Sequence, residues 1–70
     1  MKTKIADLRK EYGISQDELA KAMRVSRQTI SSIEKEKYVA SLPLAYKIAK
    51  YFNLYIEEVF ELEEEEHGEI

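Results

Sequence analysis

The sequence predicts an all-α domain built from five short helices. Apolar residues recur at intervals of three and four, a serine precedes several of these stretches, and only two glycines and one proline interrupt the 70 residues. Residues three or four apart share one face of a helix, so each stretch can bury one side against its neighbours. No convincing strand pattern occurs before Glu57.

The first helix is predicted to begin after Thr3 and to end before Gly13. Gly13 readily adopts the left-handed conformation with which helices commonly end. The inward face of the helix carries three apolar residues at helical spacing, namely Ile5, Leu8 and Tyr12.

The second and third helices are short, and each is predicted to begin at a serine. Ser15 and Glu18 match a capping box, in which each side chain accepts a backbone N–H at the helix start. Ser26 is a favourable N-cap for the third helix. The inward residues are Leu19, Ala20 and Met23 in the second helix and Ile30 and Ile33 in the third.

The fourth and fifth helices follow a loop at about residues 36–40. Ser41 is predicted to cap the fourth helix, and Pro43 falls in its first turn, where a missing N–H does little harm. Asn53 suits a left-handed position after this helix. The inward residues are Ala45, Ile48, Ala49 and Phe52 in the fourth helix and Ile56, Val59 and Phe60 in the fifth.

Charge divides the chain into a basic body and an acidic tail. All 11 basic residues lie in residues 1–56 with six acids, a net charge of +5, whereas residues 57–70 hold eight acids and no base. This asymmetry is typical of proteins that bind nucleic acid or another charged partner. We expect one domain over residues 1–60 and an acidic tail over residues 61–70.

Composition argues against several classes of protein. With no Cys and one His, the chain can form neither a disulfide nor a four-ligand zinc site. It lacks a nucleophile-and-base arrangement and a glycine-rich phosphate loop, so we expect no enzyme, cofactor or metal site. No apolar run approaches the roughly 18 residues of a membrane span, and none resembles a signal peptide, which predicts a cytoplasmic protein without membrane contact.

Residues 16–34 follow the pattern of a helix-turn-helix. Two short helices are separated by about three residues, and the small Ala20 lets the second helix cross closely over the first. Val25 in the turn fills the angle between them. In this motif the second helix, here about residues 27–35, enters the major groove of DNA. Its outward side carries hydrogen-bonding side chains, namely Arg27, Gln28, Thr29, Ser31 and Ser32.

Two of these side chains have the chemistry of direct base readout. Arginine pairs in bidentate fashion with guanine and glutamine with adenine, each worth about 1–3 kcal/mol of discrimination. We therefore predict that Arg27 and Gln28 contact bases.

The stretch Gly13-Ile-Ser-Gln-Asp-Glu-Leu-Ala20, with Val25-Ser-Arg-Gln-Thr-Ile-Ser-Ser-Ile-Glu34 after it, resembles the phage Cro and lambda-type repressor family of helix-turn-helix regulators. The likeness covers about residues 2–60 and is strongest to minimal, single-domain members of this XRE type. It implies a compact five-helix lambda-repressor-like domain, usually dimeric, that represses or activates transcription by binding specific DNA sequences.

The resemblance also implies roles for individual residues. Base reading is assigned to Arg27, Gln28 and Ser32. Phosphate contacts are assigned to Gln16, Ser26, Thr29, Lys35, Lys37 and Tyr38. Arg9 and Glu34 match a family ion pair that ties the first helix to the recognition helix.

Three positions depart from the family pattern. Ala40 replaces the usual proline of the loop after the third helix, so the loop is expected to follow another path. Glu36 stands where the family commonly has glycine, which costs about 1 kcal/mol if the site is left-handed. Tyr55 replaces the usual cap before the last helix, which suggests a packing role for its side chain.

The C-terminal region contains a pattern that predicts contact with a second copy of the chain. Phe60, Leu62 and their glutamate neighbours alternate as in a strand, and an isolated strand must find a partner. We predict a homodimer, with this tail strand as a candidate for pairing across the two-fold axis; the alternative is a disordered tail whose like charges keep the protein soluble. His67 is expected to be exposed and unmetallated. The interface is assigned to Tyr55, Ile56, Val59, Phe60 and Leu62.

Together these features predict a small transcription regulator, most simply a repressor, that binds a palindromic operator in double-stranded DNA as a homodimer. One alternative is an antitoxin with the same DNA-binding body, whose acidic C-terminal region is gripped by a toxin protein. Another is a helix-turn-helix adaptor that bridges regulators and the transcription machinery. An adaptor would not need the base-reading side chains that this third helix carries.

Overall fold

The computed structural model describes residues 2–61, and the five predicted helices appear there in the predicted order. The predictions for Leu62, for a tail strand beyond it and for His67 fall outside the described residues. The elements are β1 (Lys2–Thr3), α1 (Ile5–Tyr12), α2 (Gln16–Met23), α3 (Arg27–Glu34), α4 (Leu42–Tyr51), α5 (Ile56–Val59) and β2 (Phe60–Glu61).

The helix starts and ends lie close to their predicted positions because the capping groups bond as expected. The Ser15 hydroxyl accepts from the Glu18 N–H at 3.0 Å, and the Glu18 carboxylate accepts from the Ser15 N–H at 2.9 Å. The hydroxyls of Ser26 and Ser41 accept from the N–H three residues on, at 3.1 and 3.3 Å. Gly13 ends α1 with a φ of 69°.

Three residues other than glycine adopt the left-handed conformation within residues 2–61. Asn53 does so after α4, as predicted, with a φ of 60°. Glu36 has a φ of 62°, so the position where the family commonly has glycine is left-handed here too. Arg24, which ends α2 with a φ of 60°, is not indicated by the sequence pattern.

The predicted inward residues of α2, α3 and α4 are buried in one core. Tyr12 in α1 is an exception, since 54% of it is exposed. Its ring meets Phe52 edge-on with centroids 5.3 Å apart, and its hydroxyl donates to the Phe52 carbonyl oxygen at 3.3 Å. Tyr12 therefore covers the core with one side of its ring and keeps the other side in water.

The sequence did not predict strand β1 or its pairing with a strand at Phe60. β1 and β2 pair antiparallel, with Lys2 opposite Glu61 and Thr3 opposite Phe60. The strand-like pattern at Phe60 therefore has a pairing partner at the start of the same chain. Phe60 belongs to β2 and not to α5, and Glu61, assigned to the tail, also lies in this strand.

Two residues assigned to a dimer interface lie in the core instead. Val59 is 0% exposed and Phe60 is 2% exposed, so neither has surface to offer a partner. Tyr55 is 74% exposed, so its side chain does not pack into the core of its own chain, where its place before α5 suggested a packing role. Ile56 is half-buried, so among the members of that set within residues 2–61 the accessible ones are Tyr55 and Ile56.

Candidate nucleic-acid interface

The helices α2 and α3 cross closely, and a small residue and a tight turn allow it. Ala20 is 2% exposed, and its carbonyl oxygen accepts from the Val25 N–H at 3.0 Å, which closes the turn. Val25 packs against the core between the two helices. The crossing leaves the opposite side of α3 accessible.

The accessible side of α3 carries the side chains predicted to read bases. Arg27 and Gln28 are exposed in the first turn of α3, and Ser32 is partly exposed one turn beyond Gln28. All three therefore lie within reach of a ligand that covers this side of the helix.

Beside α3 runs a groove of about 400 Å³, which we call the reading groove. The loop after α3 forms its second wall, so residues from two separate segments meet there. Lys35 is exposed at the end of α3 but does not line this groove. The lining residues are Ser26, Gln28, Thr29, Ser32, Lys37 and Tyr38.

Two hydroxyls in the groove are already engaged with each other. Ser26 Oγ and Thr29 Oγ1 are 2.9 Å apart, and Ser26 Oγ also accepts from the Thr29 N–H at 3.1 Å. Only one hydroxyl hydrogen can serve the contact between them. The other hydrogen remains available for an external acceptor such as a phosphate oxygen.

The predicted ion pair between α1 and α3 is present and bidentate. Arg9 Nε donates to Glu34 Oε2 at 2.6 Å, and Arg9 Nη2 donates to Glu34 Oε1 at 3.0 Å. Arg9 Nη1 also donates to the Ile14 carbonyl oxygen at 3.2 Å. The side chains of Arg9 and Glu34 are only 15% and 8% exposed, so the pair is largely shielded from water and ties the two helices together.

Burial and hydrogen bonding act in opposite directions on the Glu34 carboxyl. Burial raises its pKa, but hydrogen bonds from Arg9 and Gln16 and the positive charge of Arg9 outweigh that effect, so the pKa of Glu34 is lowered. The hydrogen bond with Glu34 likewise raises the pKa of Arg9, despite its burial. Both groups therefore stay charged at neutral pH.

Gln16 connects this ion pair to Arg27 in the first turn of α3. Its Nε2 donates to Glu34 Oε1 at 3.0 Å, and its Oε1 accepts from Arg27 Nε at 3.4 Å. We call Arg9, Glu34, Gln16 and Arg27 the polar network. The sequence pattern assigned Gln16 only to phosphate, because nothing in the local pattern indicates a bond between the first residues of α2 and α3.

A second groove, of about 470 Å³, lies between α4 and α5. We call it the α4–α5 groove. Its apolar and charged lining includes Tyr46, Lys50, Tyr55, Ile56, Glu57 and Glu58. No helix within residues 2–61 is long and apolar enough to cross a membrane.

Two crossed short helices, the second of which exposes hydrogen-bonding side chains, define a helix-turn-helix domain. A family model described as helix-turn-helix matches residues 5–59, which is most of the chain. The chain therefore belongs to the XRE-type helix-turn-helix family of DNA-binding transcriptional regulators.

Curated relatives agree with this assignment. The chain is 52% identical over 66 residues to an uncharacterized HTH-type transcriptional regulator of Archaeoglobus fulgidus, and the match covers 94% of each protein. It is 51% identical over 65 residues to the HTH-type regulator YgzD of Bacillus subtilis, covering 93% of this chain and 98% of the relative. A regulator of Methanocaldococcus jannaschii is 50% identical over 66 residues, covering 94% and 100%.

Proposed function

We propose that this protein is a cytoplasmic repressor that binds a palindromic DNA operator as a homodimer. The observation that carries the proposal is the exposed pair Arg27 and Gln28 at the start of α3, of which Gln28 lines the reading groove. Side chains suited to guanine and adenine thus lie next to a surface suited to the DNA backbone.

The width of DNA explains how the reading groove would be used. A helix with its side chains is about 10–12 Å across, which nearly fills a major groove about 12 Å wide. The loop residues Lys37 and Tyr38 stand beside α3 and would therefore meet the sugar–phosphate backbone rather than base edges. The backbone strand would lie in the reading groove, with the Lys37 ammonium group supplying a positive charge.

The α4–α5 groove is the surface that we propose for dimer contact. Tyr55 is 74% exposed there, and the same groove contains both Lys50 and the carboxylates of Glu57 and Glu58. A patch that carries both charge signs can complement its own copy across a two-fold axis. Such a dimer would present two recognition helices about 34–36 Å apart, matching successive major grooves.

Repression fits a protein of this size because it requires little beyond occupancy of DNA. A bound dimer would exclude polymerase from an overlapping promoter by steric hindrance alone. The DNA-binding body described here would be sufficient for that task.

Selection of bound sequences from a random DNA pool tests the proposal directly. We expect a two-fold symmetric site in which at least one base pair depends on Arg27 and another on Gln28. Arg27→Ala and Gln28→Ala should each lose roughly 5- to 150-fold discrimination at one position, the range of a bidentate contact. If the selection enriches no sequence, the proposal of sequence-specific binding is wrong and the adaptor function is favoured.

Light scattering of Tyr55→Asp tests the dimer. We expect a carboxylate at this position to disfavour burial of the α4–α5 groove and to shift the mass from dimer to monomer. Leu42→Asp is a matched control, because Leu42 is 72% exposed and does not line that groove. An unchanged dimer mass in Tyr55→Asp would contradict the assigned interface, and a monomeric wild type would contradict the dimer itself.

A further inference from the structure

We infer that Glu34, a largely buried residue, helps to set how strongly Arg27 discriminates between bases, by acting through Gln16. The inference rests on the proposed function, because it requires that Arg27 contact a base. Glu34 and Gln16 are positioning residues in this scheme, and Arg27 makes the contact.

The first step is that Glu34 decides how the amide of Gln16 is turned. An ionised carboxylate can only accept hydrogen bonds, so the group that faces Glu34 Oε1 at 3.0 Å must be the Gln16 NH₂. The amide oxygen of Gln16 consequently points the other way, toward Arg27. Because the ion pair with Arg9 holds Glu34 in its charged form, this orientation is maintained.

The second step is that the Gln16 oxygen engages only one edge of the Arg27 guanidinium. Arg27 Nε donates to Gln16 Oε1 at 3.4 Å, and this is the one hydrogen bond of the Arg27 side chain within residues 2–61. The two terminal nitrogens, Nη1 and Nη2, are left for a ligand. Paired donors of this kind match the O6 and N7 acceptors of guanine.

The third step concerns the alternative orientation of the amide. If Gln16 turned its NH₂ toward Arg27, two donor groups would face each other and the guanidinium would lose its support. An exposed arginine without support samples many rotamers and must give up that freedom on binding. Discrimination at the Arg27 position should therefore depend on Gln16 and on the charge of Glu34.

The test is a pair of binding ratios for Gln16→Leu and Glu34→Gln. The first ratio compares affinities for two duplexes that differ only at the base pair whose preference is lost in Arg27→Ala. The second ratio compares affinities for two duplexes that differ only at the base pair that depends on Gln28. We call the two ratios the Arg27 ratio and the Gln28 ratio. We expect the Arg27 ratio to fall by about fivefold or more in both variants, while the Gln28 ratio stays within about twofold of wild type.

A double-substituted protein checks that the effect passes through Arg27. Adding Gln16→Leu to Arg27→Ala should change the Arg27 ratio no further, because the contact that Gln16 supports is already absent. Glu11→Gln is the matched control for Glu34→Gln, since it removes the same charge from an exposed position on α1. It should leave both ratios unchanged.

Three outcomes would overturn the inference. If both variants keep the Arg27 ratio within about twofold of wild type, the polar network does not affect how strongly Arg27 discriminates between bases. If they weaken binding to every duplex equally, Gln16 contributes only a phosphate contact and Glu34 only stability, the roles that family resemblance implies. If wild type selects no site, or Arg27→Ala alters no base preference, the proposed readout fails and this inference with it.

Discussion

At the scale of single residues, Glu36 holds a backbone conformation that glycine adopts at less cost. Its φ of 62° brings Cβ close to the backbone, a strain that glycine avoids. We expect Glu36→Gly to raise the free energy of unfolding by about 1 kcal/mol, measured by urea denaturation.

The neighbouring residue provides the control for this substitution. Lys35 has a φ of −85°, where glycine relieves no strain and only adds freedom to the unfolded chain. Lys35→Gly should therefore lower the free energy of unfolding by roughly 0.5–1 kcal/mol. Destabilisation by both substitutions would mean that the Glu36 side chain makes a stabilising contribution larger than its strain.

The Glu34 carboxyl predicts how stability depends on pH. Its pKa in the folded protein lies below the ordinary value of about 4.5, so the unfolded chain takes up the proton first as pH falls. The stabilisation from the ion pair is therefore complete above about pH 4.5 and is lost as pH falls through the folded pKa.

Glu34→Gln isolates this contribution. At neutral pH it should lower the free energy of unfolding by about 2 kcal/mol, the size of a hydrogen-bonded charge contact. The difference from wild type should shrink as the pH is lowered to about 3, in urea titrations at each pH. A difference that stays constant with pH would show that the charge of Glu34 contributes nothing to stability.

At the scale of elements, β2 should be necessary for the stability of the helical body. Phe60 is 2% exposed, and the strand holds the N-terminal β1 in place. Ending the chain after Val59 removes this ring and should cost about 3–5 kcal/mol or more, observed as a loss of the cooperative thermal transition. Ending it after Glu61 should preserve that transition.

A milder substitution keeps this prediction testable if the shorter chain does not fold. Phe60→Leu removes part of the ring volume and should cost about 1.5 kcal/mol. Equal stability of the chains that end after Val59 and Glu61 would show that Phe60 is dispensable.

At the scale of the whole molecule, the acidic tail should weaken binding to DNA of random sequence. A chain without the five glutamates beyond Glu61 has 11 basic and nine acidic residues, so its net charge changes from −3 to +2. We expect a chain that ends after Glu61 to bind a random duplex several-fold more tightly at low salt, measured by fluorescence anisotropy.

Two comparisons separate charge from chain length in this experiment. Replacing the same five glutamates with glutamine in the full chain should reproduce the gain, because charge is then removed at constant length. The gain should diminish as salt rises from about 50 to 200 mM, since screening weakens the repulsion. Equal affinities at low salt would show that the tail does not repel DNA.

The positions of the helices could be predicted from the sequence because their causes are local. The capping box at Ser15 and Glu18, the caps at Ser26 and Ser41 and the glycine after α1 each act within a few residues. The same short range explains why the exposed face of α3 could be recognised. The exposed side chains of α3 are interspersed with buried ones at the three- and four-residue spacing of a helix.

The contacts of Gln16 and Phe60 join residues that are far apart in the chain, so no local pattern contains them. Gln16 bonds to residues 11 and 18 positions away, and Phe60 pairs with Thr3 near the opposite end of the chain. Both contacts require the packed helices to hold distant segments of the chain together. The apolar periodicity and the helix caps were thus sufficient to predict the helix-turn-helix and its exposed face from the sequence. Chain packing decided that β2 completes the monomer and that Arg27 is held by a network reaching back to α1.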